Sequence, residues 1–240
     1  MLSPENLYPE QEESSHLHQI QDPFLAQLAK KYLQQLLQGE RQRPSELILQ
    51  AVQEGQTTVQ DVYLQIFQPV LYEVGRLWES NQVSVAVEHF CTAATQLVMS
   101  QLFPYILSSR KTSCSMVGCC VGNELHEVGM RMVSDFFEMQ GWETYFLGAN
   151  CPNEDVLKAL EQRGAHLLAI SVTLQSHLSR AQELISQVSA QTNLQHVNIL
   201  IGGYPFVRDP GLAQQIGAHG CGRDAAQAVQ LAQELVNCED

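Results

Sequence analysis

Long apolar runs are missing from this sequence. No window approaches the roughly 18 consecutive apolar residues of a membrane span. The opening stretch, MLSPENLYPEQEESSHLHQI, has neither the basic start nor the apolar core of a secretory leader, so a cytoplasmic protein without membrane contact is expected. Basic residues are scarce as well: 13 Lys and Arg stand against 26 Asp and Glu, a formal net charge of −13. Nucleic acids and anionic membranes are held largely through Lys and Arg, so neither is expected as a direct partner. The seven cysteines (Cys91, Cys114, Cys119, Cys120, Cys151, Cys221 and Cys238) form no CxxC pair. That argues against a zinc ribbon or a disulfide framework and for reduced, mostly buried thiols. Neither GxGxxG nor GxxxxGK[ST] occurs, which removes two common phosphate cradles.

What is present, with 45% apolar residues, falls into two halves of different periodicity. Residues 1–20 are aperiodic and read as a flexible tail. Residues 21–109 read as a four-helix bundle. Asp22-Pro23 supplies an N-cap and a proline at the first helical position. Phe24, Leu25, Leu28, Leu33, Leu36 and Leu37 then form an apolar stripe that ends at Gly39. Helices follow from about Pro44 to Glu54, from Thr58 to Glu79 with a kink or break at Pro69, and from Ser84 to Ser108. Residues 109–113 are polar and mark a linker. From 114 to 240 the pattern alternates strand and helix. Strands are expected at Met116–Val121, Trp142–Leu147, Leu167–Val172, Val197–Ile201 and, weakly, near Ala218; helices are expected from about Leu125, Pro152, Ser179 and Arg223. Five strands alternating with helices predict a flavodoxin-like, doubly wound parallel sheet.

Such a sheet binds ligands at the carboxyl ends of its strands. The loops there read Gly122-Asn123-Glu124-Leu125-His126-Glu127-Val128-Gly129, then Ser171-Val172-Thr173-Leu174, then Gly202-Gly203-Tyr204. One histidine, small hydroxyl residues and a glycine pair that lets a ligand approach the backbone suggest a site for something large with one nitrogen ligand. A receiver domain is rejected, because strands one and three do not end in an acidic cluster and no lysine follows Lys158.

These three segments resemble the cobalamin-binding domain family typified by methionine synthase and by cobalamin-dependent methyltransferases, mutases and photoreceptors. That family carries DxHxxG, then SxT or SxL, then GG. The resemblance implies that His126 is the lower axial ligand of cobalt and that the displaced nucleotide tail lies along Ser171, Thr173, Gly202 and Gly203. It places Glu124, Glu127, Val128 and Gly129 in the same site. Glu124 stands where the family has Asp; a carboxylate there would hold the second nitrogen of His126. The helical half resembles the cap over the upper cobalt face. Trp78, nine residues, then Glu88-His89 is similar to the Wx9EH signature of light-sensing adenosylcobalamin photoreceptors, where these side chains lie over the upper axial group. Two features depart from the DNA-binding members: Glu79 replaces the histidine that follows the tryptophan, and a helix-turn-helix of the MerR type is missing, so direct DNA repression is not expected. Adenosylcobalamin is the cofactor expected from this likeness. A bilin is a further option, with Tyr72, Phe90, Phe103 and Tyr105 as candidate lining, though helix aromatics more often fill cores. The resulting expectation is a sensory cobalamin module that signals light through cap movement or a change in homo-oligomer state to an unknown output protein. A corrinoid carrier for methyl transfer is the alternative, and a scaffold without cofactor the third.

Overall fold

The computed structural model describes residues 16–107 and 111–237. Most of the expected tail and part of the expected linker lie outside the described residues. The chain divides into two compact units, one ending at Leu102 and one beginning at Phe103.

The first unit is helical. A 3-10 turn, His16–Gln19, precedes α1 (Pro23–Leu37). Residues 16–19, which fall within the expected tail, are therefore helical. The His16 N–H donates to Glu73 (3.4 Å) and its ring meets Tyr72 edge-on at 5.5 Å. Asp22 caps α1 by accepting from the N–H groups of Phe24 and Leu25, with Pro23 in the first turn. α2 spans Gln42–Gln53. The third expected helix is continuous but changes pitch: α3 (Val59–Asp61) passes into a π segment (Val62–Phe67) and then into α4 (Gln68–Glu79). The Gln68 N–H reaches back five residues to the Tyr63 carbonyl. In a regular α-helix the Pro69 ring would collide with the carbonyl four residues earlier; the wider π turns just before it relieve that clash without breaking the helix. α5 (Val85–Leu102) stops six residues short of the expected end and gives way to a 3-10 turn at Phe103–Tyr105. Pro104 explains this, since it cannot donate to a continuing helix.

The bundle core is built from Leu28, Tyr32, Leu33, Leu36, Ile48, Tyr63, Ile66, Phe67, Val98 and Leu102, all buried. Tyr32 keeps its hydroxyl satisfied by donating to Thr95 (3.1 Å). Phe24, placed on the apolar stripe by its spacing, is exposed instead. Tyr72, Phe103 and Tyr105 are exposed too, so the expectation that these aromatics pack in the core is corrected.

The second unit is a five-stranded parallel sheet of order β2-β1-β3-β4-β5, from β1 (Ser115–Cys120), β2 (Glu143–Phe146), β3 (Leu167–Ser171), β4 (Asn198–Gly202) and β5 (Gly220–Gly222). Its helices are α6 (Val128–Met139), α7 (Asn153–Arg163), α8 (Leu178–Ala190) and α11 (Ala225–Leu235). Two short helices after β4, α9 (Tyr204–Arg208) and α10 (Gly211–Gln215), carry no sequence period long enough to announce them. Alternation along β1 sorts its side chains. Val117 and Cys119 join the apolar core with Val156 and Leu160 of α7 and Leu184 and Ile185 of α8. Gly118 lies against Met130 and Ser134 of α6. A sheet buried on both faces needs such uniformly apolar strands. Cys91, Cys119, Cys120, Cys151 and Cys221 are free thiols, whereas Cys114 is disulfide-bonded, an exception to the expected reduced set.

Candidate functional site

The loops after β1 and β2 are each turned by an asparagine. Asn123 (φ 70°) and Asn150 (φ 53°) both sit in the left-handed region, which asparagine tolerates better than most residues. The Asn123 N–H donates to the Asn150 side chain (2.7 Å), and the Asn150 N–H donates to the Glu124 carbonyl (2.9 Å). The loops following β1 and β2 are thereby joined. Glu127 adds a second tie by accepting from the Ala149 N–H (3.1 Å).

This turn drives the Glu124 side chain inward, where it is 0% exposed. Its two oxygens have separate tasks. Oε1 accepts from the His126 N–H (3.1 Å) and pairs with His126 Nδ1 (2.5 Å). Oε2 accepts from the N–H groups of Thr173 (2.8 Å) and Leu174 (3.1 Å) and pairs with His177 Nδ1 (3.0 Å). Burial alone would push the Glu124 carboxyl up. The hydrogen bonds from His126, His177 and the backbone outweigh it and hold the group well below the usual carboxylate range. Glu124 is thus a buried anion that ties the loop after β1 to the loop after β3.

The imidazole of His126 is 53% exposed, next to Leu125 at 71%. With Nδ1 engaged by the carboxylate, a neutral ring presents its lone pair at Nε2, the tautomer that suits metal coordination. The carboxylate-to-imidazole contact expected from the resemblance is present, with Glu124 in place of aspartate. The Cys120 thiol donates to the His126 carbonyl (3.6 Å).

Thr173 enters through its backbone N–H. Ser171 ends β3 in register with Cys120 on one side and Gly202 on the other. The glycine pair has a reason of its own. A Cβ on Gly203 (φ 115°) would lie 1.9 Å from the Val172 carbonyl oxygen, and one on Gly202 would lie 3.0 Å from that of Gly222. Backbone crowding therefore requires these glycines before any ligand is considered. Gly129 is the opposite case: no atom lies within 4 Å of a Cβ placed there. Glycine in the first turn of α6, beside Val128, is thus unexplained by packing and leaves backbone bare next to His126. A cavity of about 510 Å³ borders the same loop at Gly122 and is lined further by Cys151 and Leu157 together with Arg180 and Glu183 of α8.

In the helical unit Trp78 closes α4 and is exposed. Glu88 and His89 occupy the first turns of α5 and pair with each other (His89 Nδ1 to Glu88 Oε2, 2.6 Å), while Thr92 donates to Glu88 (2.9 Å). All three flank the α4–α5 turn, so the spacing in the sequence does bring them to one end of the bundle. His177 is the site residue that motif reasoning missed. The available signal was its position, only three residues beyond the Thr173-Leu174 turn.

The fold and site define a flavodoxin-like α/β unit preceded by a four-helix cap, with a carboxylate-held histidine at the end of β1. Two family models, both described as B12 binding domain, match residues 28–102 and 115–230. The chain belongs to the B12-binding domain family and carries its N-terminal cap. It is similar to dimethylamine corrinoid protein 3 of Methanosarcina acetivorans, 23% identical over 92% of this chain and 96% of that one. A corrinoid protein of Desulfitobacterium hafniense is 22% identical, over 89% and 99%. Among solved structures, the monomethylamine corrinoid protein of Methanosarcina barkeri has the same fold, with a TM-score of 0.78 and 19% identity over 88% of this chain and 99% of that chain. These relatives are corrinoid proteins, and none of them supports the light-sensing expectation or a bilin.

Proposed function

We propose that the protein binds a corrinoid and serves as a carrier in methyl transfer, loaded and unloaded by separate methyltransferases. The observation that carries this reading is the buried Glu124 carboxylate holding Nδ1 of the exposed His126. A single imidazole nitrogen suits a metal that would bring most of its other donors with it in a macrocycle. The open backbone at Gly129 and the exposed side chains of Leu125, Leu174 and Tyr204 suit a large, partly apolar ring. When bound, a corrinoid supplies a cobalt that accepts a methyl group and passes it on. His126 would hold the cobalt, Glu124 would orient that imidazole and keep it electron-rich, and Gly129 would let the ligand approach the backbone. The curated relatives bear corrinoid protein names across nearly their whole length, which favours the carrier over the sensor.

The test is reconstitution with methylcobalamin and, separately, adenosylcobalamin. Wild type should take up the corrinoid and show an absorption spectrum with imidazole bound to cobalt; His126→Ala should fold equally well and lack that spectrum. Identical spectra and affinities for the two proteins would end the reading. The light-sensing reading rests on Trp78, Glu88 and His89. It would be restored if illumination of the adenosylcobalamin-loaded protein changed its oligomeric state.

A further inference from the structure

We infer that the cavity between α7 and α8 is a second ligand site, separate from the one at His126, and that it takes a small zwitterion with an apolar body, of the amino-acid class. The cavity is bounded by Gly122 just after β1, by Cys151 ahead of α7 and Leu157 within it, and by Arg180, Glu183 and Gln187 of α8. β1 and β3 are neighbours, and the helices that follow them lie on opposite faces of the sheet: α6 meets Gly118, whereas α8 shares a core with Val117 and Cys119. A doubly wound sheet opens a crevice for ligands at such a reversal, beyond the carboxyl ends of its strands. His126 lies on the loop into α6. The cavity lies on the α8 side and shares no residue with the corrinoid site proposed above.

The charges on its wall are left open. Arg180, Glu183 and Gln187 stand three and four positions apart and so share one face of α8. Arg43 and Arg76 each pair with an acid three residues earlier in the chain. Arg180 has its acid three residues later, the weaker order on a helix, and does not pair with it. Its side chain reaches toward the loop after β1 instead: a Cβ on Gly122 would lie 3.7 Å from Arg180 Nη1 and 4.0 Å from its Cδ. The guanidinium has no acceptor among the described residues. Glu183 is engaged through Oε1 alone, which accepts from Gln187 Nε2 (3.2 Å). A cation with open donors and a carboxylate with an open oxygen thus line one cavity, a helical turn apart. A simple anion there would meet Glu183 and Glu154 in a chain of net charge −13, and a simple cation would meet Arg180. A carboxylate and an ammonium on one molecule satisfy both. The carboxylate takes the planar fork of Arg180, the ammonium takes Glu183, and an aliphatic body lies against Leu157 and Cys151.

The experiment titrates the full, corrinoid-free chain with L-leucine, read by calorimetry and by 15N backbone NMR, with acetate and methylammonium as separate probes of the two charges. Wild type should show saturable binding at one site, with shifts concentrated at Gly122, Cys151–Leu157 and Arg180–Gln187. Acetate and methylammonium should each bind about tenfold more weakly or worse, the scale of one lost charge-assisted hydrogen bond. Arg180→Gln and Glu183→Gln should each weaken L-leucine by a similar factor. Both side chains are exposed, so both variants should fold, as circular dichroism would check. Arg41→Gln, an exposed arginine of the helical unit, should bind as wild type does. Leu157→Phe, which fills the cavity and keeps both charges, should also weaken binding. The inference is overturned if L-leucine shows no saturable binding, if its shifts fall outside the cavity, if Arg180→Gln binds it as tightly as wild type, or if acetate alone matches it. Corrinoid uptake enters none of these readouts, so the site at His126 and this one stand or fall separately.

Discussion

Five donors meet the Glu124 carboxylate, and their convergence makes it the residue on which the site depends. Glu124→Gln would place an amide NH2 against groups that are themselves donors. A loss of about 3 kcal/mol at neutral pH is expected, measured by urea unfolding. The pH dependence has a definite sign. The carboxyl is lowered in the folded protein, so its contribution is complete above the unfolded value of about 4.3 and is lost as pH falls below it toward the folded value. The difference between wild type and Glu124→Gln should narrow as pH drops through that window. The glycines make a second residue-scale test. Gly203→Ala forces a Cβ into the Val172 carbonyl and should destabilise by more than 2 kcal/mol, on the order of other strained or overpacked sites. Gly129→Ala meets nothing and lies in a helix, so thermal unfolding should show a gain of up to about 1 kcal/mol. Corrinoid affinity should nevertheless fall in Gly129→Ala, because the added methyl occupies backbone that the ligand would approach.

Elements formed where local chemistry and long-range burial agree. Asp22-Pro23 announced the start of α1 and does cap it. Asp22→Ala should cost about 1 kcal/mol, read as a lowered unfolding midpoint, because the Phe24 and Leu25 N–H groups lose their acceptor. The apolar strand runs and the order of the three loops were legible because a sheet buried on both faces leaves few other compositions open to its strands. Three features were not. The π segment before Pro69 satisfies a helix by a change of pitch, which apolar spacing over a few residues does not resolve. The early end of α5 was hidden because apolar residues continue past Leu102 while Pro104 stops the hydrogen bonding. At the site, the partnership of His126 with a carboxylate was readable from residue type and spacing. The contact of His177 with Glu124 was not, since it spans 53 positions and depends on how two strands pair; nearness to the Thr173-Leu174 turn was its one local signal.

At the scale of the whole molecule, the two tryptophans fall one to each unit. Trp142 is buried in the α/β unit with its ring edge-on to Phe137 at 5.0 Å, and Trp78 is exposed at the end of α4. Trp142 should therefore emit at shorter wavelength and shift on unfolding, while Trp78 already emits near the position of a solvated indole. In a Trp78→Phe protein the remaining fluorescence follows the α/β unit alone. A ligand that binds only the folded form stabilises by an amount set by its concentration over its Kd, about 2.7 kcal/mol at a hundredfold excess. For a unit of this size that corresponds to a rise of roughly 10 °C in the unfolding midpoint. Cobalamin in that excess should raise the Trp142 midpoint accordingly in Trp78→Phe, and by much less when His126→Ala is added. An equal rise in both proteins would mean that the corrinoid binds without the histidine, and no rise in either would mean that the α/β unit does not take it.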